Sequence, residues 1–409
     1  MKSIQSFLAG FLLTSLIILF VSPIHAIAFE KGDVKLQSIG PIATGPDGVL
    51  FVSDPKSATI TAIKIQPKKV KKSSGNFKVK ELNTKVAAVL GTSSDQVRII
   101  DLAVDSDSQI AYLSVMRGQG SETNPAILSI QKNGTIHVIS LQDASHSIAK
   151  LPNAPEDKVT GNGRRKRNQR MESITDIAFI NGKVIVAGLS NEEFSSTLRS
   201  IPFPFEDSVK GTGVKIFHGA HGRYETASPV RTFVSYDIDG DPHLLAAYTC
   251  TPLVKIPMKE LNPGARIEGK TIAELGNRNR PLDMIVYKKN GKDFLLMANS
   301  SRGVMKISTE KIFNNLKKII PLTKIPNKSS LTYSIGINNL KNISEHLVPE
   351  IVIAQDFLSK QKGIKFFGMS GSGPTCFGIF RKREEAIEAT LNILKIRPKW
   401  WIKYGQLLS

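Results

Sequence analysis

The chain has almost no cysteine to build with. Among 409 residues only Cys250 and Cys376 carry thiols, which excludes a disulfide-stapled scaffold and an all-cysteine zinc site. Acidic residues are few. The 35 Asp and Glu face 55 Lys and Arg, a formal charge of +20. A long hydrophobic run is also missing: the longest, Phe7 to Val21, falls short of the roughly 20 residues a membrane-spanning helix needs. Glycine and proline, 31 and 21 residues, are neither scarce nor abundant, so collagen-like and wholly disordered chains are excluded.

What is present begins with an export pattern. Lys2 supplies a positive start, and Phe7 to Val21 is apolar but for Gly10, Thr14 and Ser15. Pro23 ends the run, and Ala26-Ile27-Ala28 is a small-x-small cleavage sequence. This predicts a signal peptide over 1–28, with Phe29 first in a mature chain exported to a periplasm. An uncleaved membrane anchor is the alternative. The shortage of cysteine does not oppose export, because a large domain buries enough surface to stand without disulfides.

The positive charge is concentrated. Lys68, Lys69, Lys71 and Lys72 form one run, and Arg164, Arg165, Lys166, Arg167 and Arg170 another. Neither contains an aromatic residue on which a base could stack. No specific nucleic-acid partner is therefore expected, and what remains is solvated loops or weak contact with an anionic surface.

Residues 36 to 308 repeat one pattern: an apolar strand, a turn, a second apolar strand, small polar residues, and often a third strand. The units start near Ile42, Asp101, Thr175, Thr232 and Leu282. Pro46-Asp47-Gly48, Asn181-Gly182, Asp239-Gly240 and Asn290-Gly291 are hairpin turns. Several short strands per unit, in units that cannot cover both their faces alone, predict a β-propeller of five to seven blades over 29–345. A sixth unit is expected among Leu331 to Leu340, and a pair of β-sandwiches is the rival arrangement. The units resemble bacterial NHL- and YVTN-like β-propellers, which implies a rigid ring whose channel mouth receives an unknown small ligand or protein.

Three groups of residues are candidates for chemistry. His218-Gly219-Ala220-His221, with His243 downstream, has the side chains to hold a metal ion if they converge; otherwise these are turn and core histidines. Cys250 follows an apolar strand. It is a nucleophile only if a base such as His243 reaches it, and otherwise a small core hydrophobe. Arg278, Asn279, Arg280 and Asp283, with Asn299, Ser300, Ser301 and Arg302, stand at strand ends, the part of a propeller that lines the channel mouth.

After Val348 the pattern changes. Apolar residues at Ile351, Ala354, Phe357 and Leu358, and again at Ile387, Leu391 and Leu394, have helical spacing. Two strands, Ile364 to Met369 and Thr375 to Phe380, lie between the helices, and Trp400 to Tyr404 reads as a last strand. The result is a small α+β half-domain over 348–409. Its run Gly368-Met369-Ser370-Gly371-Ser372-Gly373-Pro374-Thr375-Cys376-Phe377-Gly378-Ile379-Phe380 resembles the C-terminal glycine motif of the GHMP kinase superfamily, and within it the 4-diphosphocytidyl-2-C-methyl-D-erythritol kinases of non-mevalonate isoprenoid biosynthesis. The resemblance implies Gly371, Ser372, Gly373 and Thr375 as one wall of an ATP site, with ATP and magnesium as cofactors if the kinase activity is present. The family's main phosphate loop, Pro-x-x-x-Gly-Leu-Gly-Ser-Ser, has no counterpart in the chain. The sequence is thus expected to be an exported propeller carrying a partial kinase segment, or alternatively an ATP-dependent kinase.

Overall fold

The computed structural model describes residues 28–65, 78–120, 123–163, 166–206, 210–218, 223–249, 252–275, 280–310, 312, 344–345, 348–369 and 375–405. Five antiparallel blades fill the part up to Ser308. Blade 1 runs Ile42–Thr44, Val49–Asp54, Thr59–Lys64, then Ala144–Lys150 and Glu30–Gly32 at its outer edge. Blade 2, Val97–Val104, Ala111–Arg117, Asn124–Ile130 and Ile136–Val138, is inserted before blade 1 receives its fourth strand. Blade 3 is Asp176–Ile180, Lys183–Leu189, Ser196–Pro202 and Thr212–His218; blade 4 is Val230–Ile238, Asp241–Tyr248, Pro252–Pro257 and Arg266–Glu274. Their outer strands pair in parallel from Gly213–Arg266 to Ile216–Gly269. Blade 5 has three described strands, Pro281–Lys289, Lys292–Asn299 and Gly303–Ser308.

The turns follow the sequence. Asn181 and Gly182 both have positive φ, 50° and 76°, as do Asp239-Gly240 and Asn290-Gly291. That geometry matches the right-handed twist of the flanking strands, and Asn and Gly adopt it at least cost.

The second strand of each blade explains how the blades stack. Val49–Asp54 is buried along its whole length, as are Val184–Leu189 and His243–Tyr248. A strand covered on both faces is apolar without alternation. Four cores lie between neighbouring blades. Leu50 and Val52 meet Tyr112 and Ile127 between blades 1 and 2, while Phe51 and Ile60 meet Ile177 and Val186 between blades 1 and 3. Ile185 and Leu198 meet Leu244 and Val254 between blades 3 and 4. Leu245 and Leu253 meet Leu295 and Met297 between blades 4 and 5. The order around the axis is therefore 2-1-3-4-5.

The two ends of this arc differ. Helix α1 (Leu82–Val89) lays Val86, Leu82 and Leu90 over Leu113, Val115, Leu128 and Ile130 on the outward face of blade 2. Among the described residues nothing comparable covers blade 5, where Phe294–Asn299 alternates half-buried and buried residues. The β-propeller is thus correct and the two-sandwich arrangement is not. Leu331 to Leu340, where a sixth unit is expected, lies outside the described residues.

The tail is a separate small unit. Helices α2 (Glu350–Ser359) and α3 (Arg383–Ile396) pack on a hairpin of Ile364–Met369 and Cys376–Phe380. Trp400 to Tyr404 forms no strand. Trp400 instead meets the Phe357 ring edge-on at 5.7 Å, with the Arg397 guanidinium beside both rings, and that packing holds the segment without a sheet edge. Val352, Leu391, Ile396 and Trp401 remain exposed, so the tail leaves much of its apolar surface uncovered.

Candidate functional site

The first strand of each blade faces the axis, and an irregularity recurs near its start. Pairing slips between Ile99 and Asp101 in blade 2, between Val230 and Thr232 in blade 4, and between Pro281 and Asp283 in blade 5. In blade 3, Asp176 lies opposite Ala187 while Thr175 N–H donates to the same Ala187 carbonyl. A β-bulge re-aims the residue that follows it. Asp101, Asp176, Thr232 and Asp283 therefore hold equivalent positions, three of them carboxylates.

Each carboxylate is clasped by backbone. Asp101 Oδ1 accepts from its own neighbour Leu102 N–H at 2.8 Å, and Oδ2 from Ile42 N–H of blade 1 at 2.8 Å. Asp176 repeats this with Ile177 N–H and with Phe233 N–H of blade 4, both at 2.8 Å. Asp283 accepts from Met284 N–H at 2.7 Å, and among the described residues no other blade donates to it. Asp101 thus ties blade 2 to its neighbour blade 1, and Asp176 ties blade 3 to its neighbour blade 4.

Electrostatics at these positions favour protonation. Burial pushes the Asp101 carboxyl up to about 7; the Ile42 and Leu102 N–H groups oppose the shift and Asp283 adds to it. Burial likewise holds Asp176 well above the carboxylate range, with Asp101 and Asp283 repelling it and Phe233 N–H opposing. Burial raises Asp283 too, opposed by the Met284 N–H, and because the residue is exposed solvent screening makes its share the smallest of the three. Among the described residues no cation appears beside these carboxylates; backbone N–H groups oppose the shift at all three, and at Asp176 the Thr232 side chain opposes it as well.

Near this end of the strands stands a mixed-charge group. Arg231 Nη2 donates to Glu172 Oε1 at 2.6 Å, and Arg231 Nε donates to Thr249 Oγ1 at 2.8 Å. Arg280 is held below the usual guanidinium range by burial and by Arg231, against the pull of Glu172. Its backbone exchanges hydrogen bonds with Ser300 at 3.0 and 3.1 Å. Glu172 Oε2 and Asn299 Nδ2 are buried without partners.

Of the strand-end residues singled out in the sequence, Arg280, Asp283, Asn299 and Ser300 lie in this region, whereas Arg278 and Asn279 fall outside the described residues. Asp101 and Asp176 were not singled out. The available signal was an aspartate inside an apolar first strand in three units.

The histidines do not converge. His218 is buried on the outer strand of blade 3 with Nδ1 2.9 Å from Glu225 Oε2. His243 starts the second strand of blade 4 with Nδ1 2.8 Å from the Asp241 carbonyl. His221 and Cys250 lie outside the described residues. Among those residues no three His, Cys, Asp or Glu side chains are placed to hold a metal ion. Gly371, Ser372 and Gly373 also lie outside them; Thr375 is exposed, next to the strand that begins at Cys376.

Residues 331–396 match the GHMP kinases C terminal family. The chain is 45% identical over 71 residues to a 4-diphosphocytidyl-2-C-methyl-D-erythritol kinase of Wolbachia sp. subsp. Brugia malayi (strain TRS), covering 17% of this chain and 25% of that one. The enzyme of the same name from Rhizobium leguminosarum bv. trifolii (strain WSM2304) is 32% identical over 122 residues, 28% of this chain and 40% of its own. The chain thus spans about a quarter of the first of these kinases. The match begins before Val348, inside the stretch where a sixth blade is expected. Among solved structures, a streptogramin B lyase overlaps at TM-score 0.25 and 11% identity, over 68% of this chain and 86% of its own. A gluconolactonase-like protein overlaps at TM-score 0.25 and 10% identity, over 69% and 96%. The propeller rests on its own sheet order, not on these overlaps.

Proposed function

We propose that the chain is an exported β-propeller interaction protein, with a ligand or partner at the mouth formed by blades 3, 4 and 5, and that its kinase-like tail is catalytically incomplete. The observation that carries this reading is the division of the chain. Blades occupy residues 30–308, and the kinase family model matches residues 331–396. Phosphoryl transfer needs a phosphate cradle, a metal-binding group and a base in one cleft, and a quarter of a kinase supplies one wall of that cleft.

Export is supported by the charged, apolar and small-residue pattern of residues 1–28. Phe29, expected to lead the mature chain, meets the Phe203 ring at 6.1 Å and lies under the Lys64 ammonium at 4.5 Å. Edman sequencing of the native protein should start at or near Phe29, and a soluble cytoplasmic form starting at Met1 would overturn the export reading.

The kinase activity is the alternative, favoured by the tail alone. With ATP, magnesium and 4-diphosphocytidyl-2-C-methyl-D-erythritol, a coupled ADP-release assay should show no substrate-dependent turnover. Turnover abolished by Gly371→Val would establish the kinase reading instead.

A further inference from the structure

Strand register divides blade 5 into two faces, because residues directly opposite one another share a face. Met284, Met297 and Met305 stand in one row, with Val286, Leu295 and Ile307 in the next, and these turn toward blade 4. The other face carries the rows Asp283–Ala298–Val304, Ile285–Leu296–Lys306 and Tyr287–Phe294–Ser308. Every other junction in the arc covers such a face with a blade, and α1 covers the one at the far end. Here Ile285 is 54% exposed and Val304 72%, and Leu296, Ala298, Tyr287 and Phe294 are only half-buried.

The charge around this face has one dominant sign. Lys306 sits with its ammonium 3.8 Å from the Phe294 ring centre and 5.7 Å from that of Tyr287. Lys288, Lys289 and Lys292 crowd the Asn290-Gly291 hairpin at the end away from Asp283. Asp293 answers Lys288 at 4.0 Å and Glu310 answers Lys292 at 2.9 Å; among the described residues no carboxylate pairs with Lys289 or Lys306. A second copy is a poor occupant: two such faces brought together would stack Lys306 and the hairpin lysines on their own counterparts, in a chain already at +20. Apolar side chains next to uncompensated lysines, with aromatic rings between, match the boundary of an anionic bilayer.

We propose that the face of blade 5 left open by the described residues docks on an anionic lipid surface, with Ile285 and Val304 entering the acyl boundary and Lys289 and Lys306 at the headgroups. This is independent of the ligand assigned to the channel mouth.

The test is co-sedimentation of the chain from Phe29 onward, which holds every described residue but Ala28, with vesicles of phosphatidylglycerol or of phosphatidylcholine. Partition onto phosphatidylglycerol vesicles should exceed that onto phosphatidylcholine and persist in part at roughly 0.5 M salt, where the Debye length is a few ångströms. Ile285→Glu with Val304→Glu should lower partition by about tenfold or more, since both side chains leave the apolar layer. The charge-matched control is Val138→Glu with Val159→Glu, two valines 50% and 66% exposed elsewhere, which should change it by less than about twofold. All four positions are solvent-facing, and circular dichroism checks that both pairs fold. Equal loss in the two pairs would reduce the binding to bulk charge and overturn the proposal. So would absence of vesicle binding, or a dimer in sedimentation velocity that the blade 5 pair dissolves.

Discussion

Between pH 5 and pH 8 the propeller is expected to lose stability, against the usual trend for carboxylates in folded proteins. Asp101 moves from an ordinary 3.8 to about 7 on folding, and Asp176 and Asp283 move in the same direction. Below pH ~3 these groups carry a proton in both states, so no penalty exists. As the pH rises, the unfolded chain releases the proton while the folded chain keeps it, and stability falls until the folded carboxyl itself ionises. With each pKa unit worth about 1.4 kcal/mol, Asp101 alone should cost about 2–3 kcal/mol across this window. Carboxylates with lowered values, such as Glu268 beside Lys215, act below the window and do not mask the effect. Thermal unfolding at half-unit pH steps measures it. Asp101→Asn should flatten the profile: it gives up one of two accepted hydrogen bonds, about 1 kcal/mol at pH 5, and regains the difference by pH 8. A melting temperature that climbs from pH 5 to 8, or an unchanged slope in Asp101→Asn, would refute the account.

That ring of carboxylates shows where sequence reading stopped. The five units, their hairpin turns and the first four tail elements were legible because each rests on local periodicity: alternation or continuous apolar runs in strands, helical spacing around Ile387 and Leu391. The blade order 2-1-3-4-5 was not legible. It depends on Ala144–Lys150 returning to pair with Thr59–Lys64, a long-range choice with no local mark. Asp101 and Asp176 were overlooked for the same reason. One aspartate in an apolar strand looks like a strand end, and its meaning comes from neighbours in another blade, Ile42 and Phe233. His218 and His243 attracted attention by composition, but their partners, Glu225 and the Asp241 carbonyl, lie within their own hairpins and use them locally. Trp400 to Tyr404 read as a strand by its aromatic content, and packing on Phe357 gave that content another use.

The largest single effect is expected from Phe51→Ala, at the seam between blades 1 and 3. Phe51 is fully buried. Its ring stacks on Phe179 at 5.4 Å and 23°, and meets Phe203 edge-on at 4.9 Å and 89°. Phe205 closes the group at 6.0 Å. Gly45 is part of the same fit, since a Cβ there would stand 2.4 Å from Phe51 Cε2. Removing the ring leaves a cavity walled by other rings and by Val186 and Ile60, side chains fixed in two different sheets that cannot both relax into it. Loss of a fully buried phenylalanine costs about 3–5 kcal/mol, and the edge-to-face partners add to the upper end. Phe217→Ala is the contrast: that ring is 42% exposed and touches Tyr224 on the outer strand of blade 3, and about 1 kcal/mol or less is expected. Urea unfolding of both variants at pH 6 measures the difference. If Phe51→Ala shifted the midpoint no more than Phe217→Ala, the seam between blades 1 and 3 would not be holding the ring together, and the stacking order 2-1-3-4-5 would have to be redrawn.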